Sequence, residues 1–497
     1  MITPIFPKKA VGAALLTLGL LGSCSKDYLD LQPRDAVSTE VFYKTSNDAV
    51  QATTAAYSQL QKQGLYGHSL WAMDIMADNS FVGGGGAADG IEFQQLDNFS
   101  IPANNPIITN LWQRSYLGIG AANQVLARVP AVSMDADLKN RCLGEAAFLR
   151  ALYYFYIVRA FGDVPLVLTP AASPGEVATI TRTSEKEVYA SIEKDLQDAF
   201  VKLDKFASYT GDDIGRATKW SAAALLAKVY LTEGKMAEAK TQAQLVIDKS
   251  GKSLNANFGD NFNVDKENGS ESLFEVQYKS GLNGYSLDGP GSAINEFWGA
   301  RFYGKPYVVS SGGYGFNIPE KEFVDGFEPG DKRKAVTVFV PGDLYTNGPL
   351  DATGKVQVQP DPAVQPLEGD PNNFNVRKFY AGALSTIWDS PLNVPILRLS
   401  EMYLIVAEAG NDVAALNKVR ARAGLAPAAA ATKEAVLRER RYEFAFEMDR
   451  WYDLKRSNTL LNNPELLKKG IKAFNVVMPV PQAERDVNPN LAQNPGY

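Results

Sequence analysis

The side chains that could do chemistry fall in three places along this chain. Toward the C-terminal end, Glu439, Glu443, Glu447 and Asp453 stand among Arg438, Arg440, Arg441, Arg450, Lys455 and Arg456. Two such carboxylates could serve a glycosidase, which needs no histidine. Opposite charges three and four residues apart are also the pattern of ordinary helix ion pairs, and that structural role is the expectation here. The second place follows Trp71, where Asp78, Asn79 and Phe81 precede the run Gly83-Gly84-Gly85-Gly86. The third is an aperiodic stretch with Phe297, Trp298, Arg301, Phe302, Tyr303, Tyr307 and Tyr314, and further on Trp388. Aromatic faces can stack on the apolar side of a sugar ring while amides and carboxylates bond its hydroxyls. The candidate ligand-binding residues are therefore Asp78, Asn79, Phe81, Trp298, Tyr303, Tyr307 and Trp388. Trp112, Trp220 and Trp451 lie on periodic helices and read as core.

Composition narrows the chemistry. The 497 residues hold one histidine, His68, and two cysteines, Cys24 and Cys142. A multi-histidine or four-cysteine metal site cannot be assembled from them, and a Ser-His-Asp hydrolase would depend on His68 alone. His68 is expected to make a local hydrogen bond near a helix end, and Cys142, on an apolar helical stripe, to be core. The net charge of -6 gives no reason to expect a nucleic-acid partner. The glycine run has no Lys-Ser/Thr after it and is not a phosphate loop. Asp260, Asn263, Asp265 and Glu267 lack the EF-hand spacing. No cofactor is expected, with a loop calcium at those residues as the less favoured alternative.

Helices must position these groups. Thr45 and Asp48 form a capping-box start for a helix expected to end before Gly64. Further helices are expected over 107–128, 135–162 and 184–204. Within 218–249, Ala227, Tyr230, Gly234 and Ala239 have the spacing of a tetratricopeptide repeat, with Ala223 where its tryptophan would be. Between 253 and 394 glycine, proline and asparagine become frequent, and short strands are expected at 273–278 and 335–340. Helices return at 397–409, 411–423 and 433–457. The fold class is mostly α: a tetratricopeptide-like helical-repeat scaffold carrying a loop-rich mixed insertion.

At the start, Lys8 and Lys9 precede an apolar run too short to span a bilayer. It ends in Leu21-Gly22-Ser23-Cys24, which resembles a bacterial lipobox. Residues 1–23 are expected to be a lipoprotein signal peptide and Cys24 the lipidated residue. Asp27 weakly suggests export to the surface.

Several further blocks stand in order along the chain. They are Tyr28-Leu29-Asp30-Leu31-Gln32-Pro33, Gly144-Glu145-Ala146-Ala147-Phe148-Leu149-Arg150, and Phe161-Gly162-Asp163-Val164-Pro165-Leu166. Later blocks are Ser272-Leu273-Phe274-Glu275-Val276, Arg398-Leu399-Ser400-Glu401-Met402-Tyr403-Leu404, Glu439-Arg440-Arg441-Tyr442-Glu443-Phe444, Arg450-Trp451-Tyr452-Asp453-Leu454 and Met478-Pro479-Val480-Pro481. In this order they resemble the SusD/RagB family of surface nutrient-binding lipoproteins of the Bacteroidota, with two departures. The link from Glu408 to Leu416 is short, and Met448-Asp449 stands where the family tends to have Gly-His.

The resemblance implies a helical region over 24–252, a loop-rich subdomain over 253–394, and helices and tail over 395–497 that complete the fold. It implies an outer-membrane lipoprotein at the cell surface that is not an enzyme. Such a protein binds a nutrient oligomer, a glycan or in some branches a peptide, and passes it to a SusC-like TonB-dependent transporter. A lipid-anchored scaffold that binds only protein, and a glycoside hydrolase, are the competing readings.

Overall fold

A computed structural model describes residues 42–67, 69–85, 88–171, 174–282, 286–299, 313–340, 374–382, 384 and 386–497. Cys24, His68, Tyr303 and Tyr307 lie outside the described residues.

The chain is mostly helical. α1 (Ser46–Ser58) opens with the expected capping box, the Asp48 amide donating to Thr45 Oγ1 and the Thr45 amide to the Asp48 carboxylate. The helix stops at Ser58, earlier than expected, and a 3-10 turn follows at Gln59–Gln61. α2 (Ile91–Asp97) precedes α3 (Pro106–Arg128), where Asn105 caps the first turn and Pro106 fills a position that needs no amide donor. α4 (Ala136–Phe161) is buried almost all round and ends at Gly162. α3 and α4 approach closely because a Cβ on Gly118 would lie 2.4 Å from the Tyr153 ring. Tyr153 in turn donates to the Ala56 carbonyl of α1 at 2.6 Å. Cys142 is a buried free thiol in this packing, as expected.

α5 (Glu185–Lys202), α6 (Lys219–Glu233) and α7 (Met236–Lys249) continue the stack, each packed on the helix before it. The repeat positions behave as their spacing predicts. Ala227 and Ala239 are fully buried, Tyr230 fills the groove, and Gly234 ends α6 in the left-handed conformation, φ 76°. α7 then packs against α9 (Leu399–Gly410), so the scaffold is closed by a helix from the far end of the sequence. The short link is a tight corner: Asn411 takes left-handed φ, and Asp412 caps α10 (Val413–Ala423).

Strands are few. β1 (Ser80–Val82) pairs antiparallel with β3 (Asn317–Pro319), β2 (Ser272–Val276) with β6 (Val394–Arg398), and β4 (Val338–Phe339) with β5 (Asn375–Val376). The expected 335–340 strand is half helix: Lys334–Thr337 forms one turn before β4. β2 joins the insertion to the scaffold, the Phe274 ring standing edge-on to Phe148 of α4 at 4.9 Å. The 253–394 region thus adds Leu273, Phe297, Trp298 and Val394 to the core that runs through the helices.

The expected single helix over 433–457 is two, α11 (Lys433–Glu443) and α12 (Arg450–Arg456). Between them Phe446 and Met448 adopt left-handed φ of 62° and 65°. Tertiary contacts override the local pattern here. Phe446 inserts between Phe323 and Trp298, the Met448 amide donates to Asp74, and Asp449 reaches Arg159 and Lys228. Met448 thus holds a left-handed position that glycine adopts without strain.

Candidate functional site: an aromatic platform on an ion-pair base

The charged C-terminal helices form a buried lattice. Arg398 bonds the carboxylates of Glu271, Glu443 and Glu447 at 2.9, 2.9 and 2.7 Å. Arg333 joins Asp331, Glu439 and Glu443, and Arg422 joins Glu271 and Glu443. Arg440 joins Glu401 and Asp453, while Arg456 joins Asp453 and Glu408. Burial by itself would raise the Glu443 carboxyl, but Arg422, Arg398 and Arg333 hold it well below the ordinary carboxylate range. A carboxylate locked in this way is neither a ready proton donor nor a free nucleophile. The structural reading of these residues holds.

The Asp78 loop is tied to the same base. The Asp78 carboxylate accepts two bonds from Arg450, at 2.7 and 2.8 Å, and one from Asn463 at 2.8 Å. Burial opposes the charged form, yet Arg450 and Arg441 keep the group well below the usual range. Asn79 Oδ1 accepts from Arg441 Nε at 2.8 Å, and its carbonyl accepts the Glu320 amide. Both side chains are buried. Asp78 and Asn79, expected to face ligand, instead lash β1 to the C-terminal helices. Their arginine partners are more than 360 positions away, so no local pattern announced them.

β1 leads to α8 (Ile294–Trp298), a single helical turn that organises the platform. Trp298 is 1% exposed and stands among Trp71, Phe379 and Phe446, with ring centres 6.0, 5.4 and 6.2 Å away. It is a core residue, and the expectation that it stacks on a ligand is corrected. One turn is too short to show a period, so an inward-facing tryptophan looked aperiodic. Phe297 packs on Trp71, Phe93, Phe316 and Tyr314. Backbone bonds from Tyr314, Gly315 and Phe316 to 296, 299 and 297 seat the next segment against α8, and Gly83 and Gly84 donate to 316 and 315. Gly83 and Gly84 thus meet the segment 314–316, more than 200 positions away in sequence.

Among the described residues of these segments, Phe81, Tyr314 and Trp388 are half-buried. Trp388 has φ 55°, a position L-residues with bulky side chains rarely occupy. The surroundings enforce it. Ser390 and Ser292 form a backbone bridge, and Gly291 leaves no room for a Cβ beside Asp389, which would be 2.5 Å from its Cα. Close by, Asn295 Nδ2 donates to Glu296 Oε1 at 3.4 Å. Trp388 Nε1 finds no acceptor among the described residues. Strain maintained in this way is the usual mark of a side chain held for use. Glu296, which the sequence reading did not single out, is pushed up to about 8 by burial. It is therefore largely protonated at neutral pH and can sit under the platform without an arginine.

Among the described residues no cluster of acidic, histidine or cysteine side chains is arranged to hold a metal ion. Asn263 caps Asp265, and Glu267 accepts the Asn393 amide.

Comparison with known proteins agrees with this architecture. Residues 258–497 match the SusD family, and residues 27–231 match a family described as starch-binding and associating with the outer membrane. A SusD-like protein of Formosa agariphila is 28% identical over 522 residues, covering 97% of this chain and 98% of its own length. The starch-binding protein SusD of Bacteroides thetaiotaomicron is 24% identical over 418 residues, 73% of this chain and 74% of that one. The solved structure of a laminarin-binding SusD-like protein superposes with a TM-score of 0.79 at 30% identity, over 92% of this chain and 100% of that one. A repeat stack closed by a distant helix, an insertion seated on it and near full-length likeness at both levels lead to one conclusion: the chain belongs to the SusD family.

Proposed function

We propose that this chain is a cell-surface lipoprotein that captures a glycan oligomer and passes it to a SusC-like TonB-dependent transporter. The observation that carries the glycan class is the likeness, over nearly the whole chain, to a laminarin-binding protein. The platform suits that ligand. Trp388, Tyr314 and Phe81 offer ring surface for the apolar face of a pyranose. Binding of this kind is shallow and releases readily, as handover requires. No catalytic step is assigned. The lattice carboxylates are engaged with arginine rather than free to act across a sugar bond.

In this reading Cys24 carries the lipid. Several acyl chains give the stable anchoring that one chain would not. The test is isothermal titration of the chain produced without its first 24 residues against laminarin, starch, other soluble glycans and peptides. Binding to at least one glycan is expected. Binding to none of the panel, with no transporter retained on purification from native membranes, contradicts the proposal.

A further inference from the structure

A polar cleft lies apart from the aromatic platform, where the loop between α5 and α6 turns back over β2. One cavity there, of about 200 Å³, is lined by Ser208, Ile214, Lys252, Ser272 and Glu275 among others. A neighbouring cavity of about 280 Å³ shares Ile214, Gly215, Arg216, Phe274 and Glu275 with it and reaches Tyr57 and Gln61 of the first helical segment. Phe81, Tyr314 and Trp388 line neither. The first cavity has roughly the volume of seven waters, room for one sugar ring.

The walls are fixed by the chain itself. Arg216 donates to Asp213 at 2.8 Å, to Glu145 at 3.0 Å and to Thr54 at 3.0 Å, and Arg141 holds Asp213 at 2.7 Å. Gly215 takes φ 94° and lies against the end of β2, where a Cβ would stand 2.4 Å from Gln277 Cδ. On the other wall the side-chain amides of Asn268 and Gln277 exchange bonds at 2.8 and 3.1 Å. A wall built in advance lowers the ordering cost of binding.

The charges decide what fits. Arg216 is engaged by carboxylates, but Lys252 is not. Its ammonium donates to the Gly269 carbonyl at 2.9 Å and forms no ion pair with a described residue. Burial pushes that ammonium below its ordinary value, and Glu275 offsets this only in part. Two of its three N–H donors are therefore unspent. The Ser208 and Ser272 hydroxyls bond no described residue either. Glu275 stands in the same wall, held only by neutral donors: the Asn268 amide, at 3.0 and 3.1 Å from its two oxygens, and Asn393 Nδ2 at 3.0 Å. A carboxylate offers about four acceptor sites, so it has capacity left. An anion in the cleft would meet Glu275, and a cation would meet Lys252. A neutral hydroxyl accepts from the one and donates to the other. Ile214, 49% exposed, adds apolar surface for the C–H face of a ring.

We propose that this cleft is a second sugar site, which takes one neutral hexose unit with Lys252 donating to its hydroxyls and Glu275 accepting from them. It rests on the glycan reading above for the source of the sugar. Two weak contacts on one oligomer long enough to span them strengthen capture, while each still releases quickly.

The test labels the isoleucine δ1-methyl groups of the full chain with 13C and follows them by NMR during titration with D-glucose, D-galactose, D-mannose and laminaritriose. Ile214 reports the cleft. Ile318, paired with Phe81 across β1 and β3, reports the platform. A saturable shift of Ile214 with at least one of these neutral sugars is expected, and a weaker one with glucuronate or glucosamine. Lys252→Met should weaken the Ile214 response about tenfold. Ser208→Trp, at an exposed position, should fill the cavity and abolish it. Both variants should keep the melting temperature and the Ile318 response of the parent. No saturable Ile214 shift with any neutral sugar, an undiminished shift in either variant, or tighter binding of glucuronate or glucosamine overturns the proposal. An Ile214 response without one at Ile318 supports the cleft and counts against the platform.

Discussion

The buried lattice of the C-terminal helices and the aromatic platform above α8 use the same kinds of residue to opposite ends. In the lattice, Glu271, Glu443, Glu447 and Asp453 each meet a guanidinium, and the charge is spent on holding the helices together. On the platform, Glu296 is buried with no arginine and responds by keeping its proton. The tryptophans divide in the same way. Trp298 is enclosed by rings, while Trp388, held in a strained backbone conformation, keeps part of its ring at the surface. Residue type alone therefore does not mark a site in this molecule. What sets Trp388 apart is a side chain left half at the surface on a backbone constrained at a cost.

The contrast can be broken most forcefully at its base. Arg398→Met leaves three carboxylates without their shared cation. Breaking a buried pair this way should destabilise the fold by about 5 kcal/mol, read as the loss of unfolding free energy in denaturant. Trp298→Ala comes next. It opens a cavity in the aromatic core and should cost about 3–4 kcal/mol, while any glycan affinity of the fraction that stays folded is kept. A Trp298→Ala protein of normal stability and abolished binding would reverse the assignment of the two tryptophans.

Those two residues show what the sequence reveals and what it hides. The tetratricopeptide spacing, the Thr45 capping box and the core role of Cys142 rest on contacts within one or two helices, and all three are legible in the chain. Asp78 and Asn79 look like loop ligands because their arginines come from the other end of the sequence. The break after Glu443 is equally hidden. Charge and helix propensity run on through 444–449, but Phe446 and Asp449 gain more from distant partners than from continuing the helix. The meeting of the glycine run with Tyr314 depends on the β1–β3 pairing, which three-residue strands do not advertise. The family resemblance supplied the architecture, and the residues supplied the repeat, but which aromatic side chains are enclosed and which stay at the surface needed the fold.

The lone carboxyl sharpens the comparison through pH. Glu296 holds its proton up to about pH 8 in the folded chain, against an ordinary value of 4.5. The folded state binds that proton more tightly than the unfolded state, so its contribution to stability is complete below about pH 4.5 and is lost as pH rises toward 8. Glu296→Gln mimics the neutral form and can still accept from Asn295 Nδ2. It should match the parent at pH 4.5 and exceed it by about 1–3 kcal/mol at pH 8.5, measured as melting temperature across that range. Equal pH profiles for the two proteins would mean that Glu296 has found a cationic partner.

The central claim is that binding belongs to the half-exposed Trp388 and not to the lattice or the enclosed tryptophan. Titration of Trp388→Ala with the glycan the parent binds tests it directly. Loss of one stacking ring should weaken binding about tenfold, roughly 1.4 kcal/mol, with the melting temperature almost unchanged because the ring is only half-buried. An affinity equal to that of the parent would contradict the account.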